Sequence, residues 1–462
     1  MKKKESKQRK EEFQVVNPRA AGIDIASMEH FVAVPERLEA QPVRHLGAFT
    51  RDLEALADWL VSVGITTVAM ESTGNYWLSL YEVLEARGLE VCLVNARHMK
   101  NVSGRKSDVQ DCQWLQQLHT FGLLKACFIP GETVRRLRCY VRQRNAVEQQ
   151  KGRDLQHLQR SLTDMNLKLH HLVSDLEGVA AMRIVEEIAA GVTDARQLAR
   201  HRNKAMKATE EELVRSLEGN YTAEHLFTLN QALSSYRFHV GQMRECDEQI
   251  ERLLSAMSGT EQQQGEEFCS RGKARKARKN QYRFDLRSYL LELLGVDLTQ
   301  VEGLEENTVL EVIAETGTDL GKWATAKHLA SWLGLCPNPA KSGGKVLGHK
   351  QRGGRSSSRA AKAFRLAARS LHASGHYLGG LYRRVSHKKG PKAAIKAVAR
   401  KLAVIFYTMV RNKADYVPLE AKEYEERTKA RIIKNLRRKA QALGLELREM
   451  ASGQHADNVM VV

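Results

Sequence analysis

"AGIDIASMEHFVAVPE", residues 21–36, decides how the first part of the chain is read. Two runs, "AGIDIA" and "HFVAVPE", are rich in apolar and β-branched residues and flank a short polar turn, so the pattern predicts two adjacent strands. An acid, Asp24, stands inside the first of them. A lone carboxylate is costly to desolvate there and calls for a cation or a hydrogen-bond donor nearby.

Outward from this pair, "ITTVAME" (65–71) predicts a third, buried strand that ends on a second acid, Glu71. The intervening "RDLEALADWLVSVG" carries Leu53, Leu56, Leu60 and Val63 at helical spacing and stops at Gly64. "NYWLSLYEVLEARG" repeats the helical pattern and "LEVCLVN" is a further strand. Strands alternating with helices predict an α/β domain on a mixed sheet. Next, "KSDVQDCQWL" (106–115) opens a helix with Asp108 and Asp111 on one face. Negative charge at a helix N-terminus is favourable in itself, which is the plain explanation of that pair. If the first and third strands are neighbours and the helix crosses their ends, however, Asp24, Glu71, Asp108 and Asp111 converge. Hard oxygen ligands at that density suit Mg²⁺ or Mn²⁺, and such ions polarise phosphodiesters. The order strand-Asp, strand-Glu, helix-Asp resembles the RNase H/RuvC superfamily of nucleases and transposases.

From about 135 to 260 the pattern changes to long helices. Leu155, Leu158, Leu162, Met165, Leu169, Leu172 and Leu176 keep a 3,4 spacing, as do Leu226, Leu229, Leu233, Tyr236, Val240 and Met243. Each seam needs a partner helix, either the other seam or a second chain. Residues 258–281 lack periodicity and end in a basic run, as a linker would. Beyond it, "LTQVEGLEENTVLEVIAETG" suggests two short helices around Gly303, a pattern that can grip a phosphate backbone.

Charge narrows the partner. The 462 residues carry a net charge of +19, and from Lys341 to Lys413 there are nineteen Lys or Arg and no Asp or Glu. Clustered cations without acids point to a polyanion, nucleic acid first. No apolar run is long enough for a transmembrane helix, and no apolar signal core follows the basic N-terminus, so a cytoplasmic protein without a membrane partner is expected. Seven unpaired-looking cysteines with no CxxC spacing read as reduced thiols. Within the basic stretch, "NPAKSGGKVLGHKQRGGRSSSRAAKAF" sets Ser342 before Gly343 and Gly344. The glycines allow close backbone approach, while Lys341, Lys345, Lys350, Arg352, Arg355 and Arg359 surround the hydroxyl with positive charge as candidate nucleic-acid contacts. A serine in that field can attack a phosphodiester. On residues alone, a phosphate-gripping loop whose serine only donates a hydrogen bond is the simpler reading.

"GIDIAS", "VAMESTGNYW", "KSDVQDCQWLQQL", "LASWLGLCPNPAKSGGK" and "RAAKAFRLAARSL" together resemble the IS-one-ten family of insertion-sequence transposases, which are similar to Piv-type DNA invertases. The likeness spans nearly the whole chain. It implies a RuvC-like domain with a DEDD metal site, matched by Asp24, Glu71, Asp108 and Asp111, and a transposase domain with a nucleophilic serine, matched by Ser342. Many relatives carry two adjacent serines before the Gly-Gly pair; here the first is Lys341. Ser356, Ser357 and Ser358 read as phosphate contacts at a helix start. The implied organisation is an α/β RNase H/RuvC-like domain (14–130), a long helical coiled-coil region (131–260), a basic linker (261–285), a mainly α transposase domain (286–420) and a charged helical tail (421–462). The implied function is DNA transposition or recombination in a bacterial, nucleoid-associated setting. The implied partners are DNA and, as in some members, a structured guide RNA, with a homodimer or homotetramer as the assembly. The competing readings are a RuvC-like nuclease that uses water and a non-catalytic nucleic-acid scaffold.

Overall fold

Alternation along the first strand organises the N-terminal sheet. In β1 (Ala20–Ile25) the side chains of Ala21, Ile23 and Ile25 enter one core, leaving Ala20, Gly22 and Asp24 on the opposite face. The computed structural model describes residues 14–95, 107–204, 206–259, 280–336, 341–342, 345–346, 358–417 and 421–446. It divides into two compact units, one up to Ile129 and one from Pro130.

In the first unit, β2 (Glu29–Ala33), β3 (Val43–Gly47), β4 (Thr67–Glu71) and β5 (Glu90–Val94) complete a five-stranded sheet of order β3-β2-β1-β4-β5. β1 is antiparallel to β2 and parallel to β4, and β4 is parallel to β5, so the sheet is mixed as expected. β3 is the strand that the pattern did not reveal. It is an edge strand whose residues are at most partly buried, so no apolar alternation marks it. α1 (Thr50–Ser62) and α2 (Trp77–Ala86) cover one face, where Leu56, Leu60, Leu80 and Leu84 are fully buried. Each contributes about 1.5–3 kcal/mol of transfer free energy. α3 (Asp108–Thr120) lies on the other face against β1. Gly22 makes that approach possible: a Cβ there would fall 2.3 Å from the Gln116 backbone nitrogen and 2.4 Å from the Cys112 carbonyl.

The second unit is helical. α4 (Glu132–Asp164) and α9 (Ala223–Ser258) pack on each other as an antiparallel pair, with Arg144 against Asp247 and Asp154 against His239. The helical seams therefore meet within one chain. The leucine spacing from Leu155 to Leu176 nevertheless outruns its helix. α4 ends at Asp164, Asn166 turns the chain with φ 61°, and Leu167, Leu169 and Leu176 enter a core shared with α6 (Val179–Ala189), α8 (Glu210–Leu217) and α9. Two short helices, α5 (Leu169–Leu172) and α7 (Ala195–Ala199), complete this insertion.

Next come α10 (Leu286–Leu294), α11 (Glu306–Thr316) and α12 (Ala326–Trp332), then a small antiparallel pair, β6 (Lys341–Ser342) and β7 (Lys345–Val346). α13 (Arg359–Ser370), α14 (Tyr377–Lys389), α15 (Pro391–Asn412) and α16 (Ala421–Ala442) follow. Phe364 of α13 and Phe406 of α15 meet edge to face at 5.8 Å in their core. The expected helix pair around Gly303 is only a 3₁₀ turn (Leu298–Gln300) followed by α11. Gly303, at φ 85°, lets the chain pass Leu371 and the Ala367 carbonyl, where a Cβ would sit 3.0–3.2 Å away. A glycine there permits that close packing. Among the described residues no helix is long and apolar enough to cross a membrane.

Candidate functional site

Three elements carry the acids of the first unit to one end of its sheet. The β1–β4 pairing runs from Ala20 opposite Thr67 to Ile23 opposite Met70, so Asp24 and Glu71 are the next residues on neighbouring parallel strands. Their faces follow from period 2. Gly22 touches α3, hence Asp24 points to that side; the Thr67 hydroxyl lies 2.8 Å from His119 Nε2 of α3, hence Glu71, four residues on, points there too. α3 runs antiparallel to β1, with its last residues beside Val16 and Asn17 and its first turn, Asp108 and Asp111, at the Asp24 end. The helix is capped by the Ser107 hydroxyl, which accepts from the Gln110 amide.

Among the described groups at that end, acids act on Asp24. Burial first, then Asp108, Asp111 and Glu71, push the Asp24 carboxyl up to about 6 from 3.8, against a backbone hydrogen bond from Ile25. Among the described groups acting on Asp24, none is a cation. Four hard carboxylates with net negative charge are the donor chemistry of a Mg²⁺ or Mn²⁺ site. Among the described residues, though, no three His, Cys, Asp or Glu stand close enough to hold one ion together, so the set is a common field rather than a closed ligand shell. The chemistry of the residues thus fits a divalent metal, and closure on it requires side-chain adjustment. The Cys112 thiol beneath this site donates to the Val109 carbonyl, and burial pushes it up to about 12, which leaves it inert.

Two residues that set this geometry were not singled out from the sequence. Gly22 fixes how closely α3 can approach, and glycine inside a strand is the available signal of such an approach. Thr73, two residues after Glu71, donates its hydroxyl to Glu71 Oε1 at 3.2 Å and orients that carboxylate.

In the second unit, Lys341 and Ser342 form β6 and pair with Val346 and Lys345 of β7, so Gly343 and Gly344 lie in sequence between two paired strands. The Gly pair itself, Lys350, Arg352, Arg355, Ser356 and Ser357 lie outside the described residues. The Ser358 hydroxyl caps α13 by accepting from the Ala361 amide. Arg359, the first residue of α13, lines a cavity of about 410 Å³ together with Lys362, Asn145 and Glu311.

Comparison with known families follows this division. The family model DEDD_Tnp_IS110, described as a transposase, matches residues 21–167 and includes all four acids. A second, described as Transposase IS116/IS110/IS902 family, matches residues 297–376 and includes Ser342. None of the curated proteins matches the chain. On both regions, the chain belongs to the IS110 family of transposases.

Proposed function

We propose that the chain cuts and rejoins DNA strands with Asp24, Glu71, Asp108 and Asp111 as metal ligands and Ser342 as nucleophile. The observation that carries the first half is the Asp24 carboxyl, raised to about 6 among three other acids. A group so placed gains from a bound cation and has no described cation beside it. Bound there, Mg²⁺ or Mn²⁺ supplies a Lewis acid for a phosphodiester. A DEDD-type domain suggests such divalent-metal dependence.

In this reading the Ser342 oxygen forms a bond to phosphorus and loses its proton. The P–O bond to the departing strand breaks, and the departing oxygen takes up a proton. A hydroxyl of the exchanged strand then attacks the phosphoserine and restores the serine. Lys341, Lys345, Lys350, Arg352, Arg355 and Arg359, with the amides of Gly343 and Gly344, take phosphate oxygens around it. The acid-free stretch from Lys341 to Lys413 supports a nucleic-acid face of that extent. It suits a structured guide RNA as well as DNA. A homodimer or homotetramer in the bacterial cytoplasm is the assembly this reading assumes.

The test is a denaturing gel of the purified chain with Mg²⁺, the RNA of its own element's end and a labelled DNA junction. A covalent protein–DNA band is expected from the wild type and none from Ser342→Ala. Strand exchange by Ser342→Ala at the wild-type rate would overturn the nucleophile, and free cut DNA without an adduct in either protein would assign the attack to water.

A further inference from the structure

Exposed apolar side chains of the first unit share the end of the sheet that carries the acids. Among its described residues nine large hydrophobic side chains are exposed, and five of them, Met28, Phe49, Tyr76, Leu78 and Val109, lie at the end of the sheet that carries the acids. Phe49 is 69% exposed, Met28 62% and Tyr76 52%. The topology puts them there. Met28 lies in the β1–β2 turn, Phe49 between β3 and α1, Tyr76 in the loop after β4, Leu78 in the first turn of α2, and Val109 between the two acids of α3. The Met28 carbonyl accepts from the Ala48 amide, which ties the first two loops together. The Tyr76 ring lies against Gly74, in the same loop where Thr73 holds Glu71.

A scatter of single exposed hydrophobics needs no explanation, but five of nine at the one sheet end that carries four carboxylates do. None of the five carries positive charge, so the phosphates of a paired duplex gain nothing from them. Flat apolar faces do gain, and in nucleic acid only unstacked bases present them. Because the family acts on DNA, DNA is the occupant.

We propose that the rim of Met28, Phe49 and Tyr76 receives unstacked bases of the DNA strand beside the phosphate held at the acids. The strand is thus bound opened rather than as a continuous duplex. This rests on the acid-bearing end being the DNA-processing face.

The test uses the full-length chain in EDTA with two fluorescent DNA probes of one sequence, fully paired and carrying a short central bubble with 2-aminopurine. Wild type is expected to prefer the bubble and to change the 2-aminopurine signal. Phe49→Ala and Tyr76→Ala should each weaken bubble binding about tenfold or more while leaving the paired probe unchanged. Tyr76→Phe should keep the preference, and unchanged thermal midpoints will show that these exposed sites do not affect folding. Equal losses on both probes, or no loss, would overturn the proposal. So would a loss seen only with single-stranded RNA of that sequence, or altered self-association with normal DNA binding. Binding in EDTA needs neither metal nor Ser342, so failure here is distinct from failure of the adduct assay.

Discussion

Two clusters of charge in this chain are built on opposite principles. Between α4 and α9, Arg144 is 1% exposed, yet it meets Asp247 at 2.5 Å, lies 3.9 Å from the centre of the Tyr282 ring, and donates to the Asn280 and Gln281 carbonyls. Lys151 beside it pairs with Glu177 at 2.8 Å. At the end of β1 and β4, by contrast, acids act on acids. A cluster that holds the fold together balances its charge within the chain, because an unpaired buried ion costs several kcal/mol. In the acidic cluster no described cation acts on Asp24, and in the proposed reading a metal from outside supplies that charge.

The comparison can be broken at either cluster. The largest effect on stability is expected from Arg144→Met, which takes from buried Asp247 its guanidinium partner and leaves it only Arg283, and should cost about 3–5 kcal/mol in urea unfolding. Adding Asp247→Leu should recover most of that loss, since a matched apolar pair leaves no orphaned charge. A single Arg144→Met as stable as wild type would show that the balance does not hold the helices.

Gly22→Ala comes next. Its new methyl group would meet the α3 backbone, which cannot move aside as a side chain can, so a loss of about 1–3 kcal/mol is expected from thermal or urea unfolding. A neutral result would mean that α3 is not seated on β1 and would remove the basis for convergence of the acids.

The smallest effect has the opposite sign. The folded Asp24 carboxyl titrates near 6 and the unfolded one near 3.8, so between those values the folded state holds the extra proton. The contribution of Asp24 to stability is therefore full at low pH, falls as pH rises through that window, and stays low at pH 7. Asp24→Asn should raise the melting midpoint slightly at pH 7 in EDTA, with the gain vanishing below about pH 4. Mg²⁺ should stabilise wild type at pH 7 more than the variant. If Asp24→Asn is destabilising at pH 7, the acids are held by partners within the chain and the contrast between the clusters fails.

Much of the N-terminal unit was legible because strands and helices write their faces into the sequence. Ile23, Ile25, Val32, Val68 and Met70 alternate into one core, and "KSDVQDCQWL" opens its helix where expected. β3 was not legible: an edge strand with one row of weakly buried side chains carries little periodicity. Nor was the break after α4, because the leucines keep their spacing while Asn166 turns the backbone and a different core takes them up. The helix cap formed by Ser358 was not anticipated for a related reason. A hydroxyl before a basic helix can serve a cap or a phosphate, and only its distance to the Ala361 amide reveals the cap.

By itself the sequence determined which residues are candidates for the chemistry: four acids on predicted strands and a helix, one serine before two glycines, and a basic stretch without acids. These are matters of residue type and spacing, and period 2 or 3.6 assigns each to a face without knowledge of the fold. Tertiary structure alone decided that β1 lies beside β4, that a glycine admits α3 across them, and that exposed aromatic side chains share an end with the acids. Those are contacts between segments distant in sequence, and the chain settles them by packing, which no local pattern records.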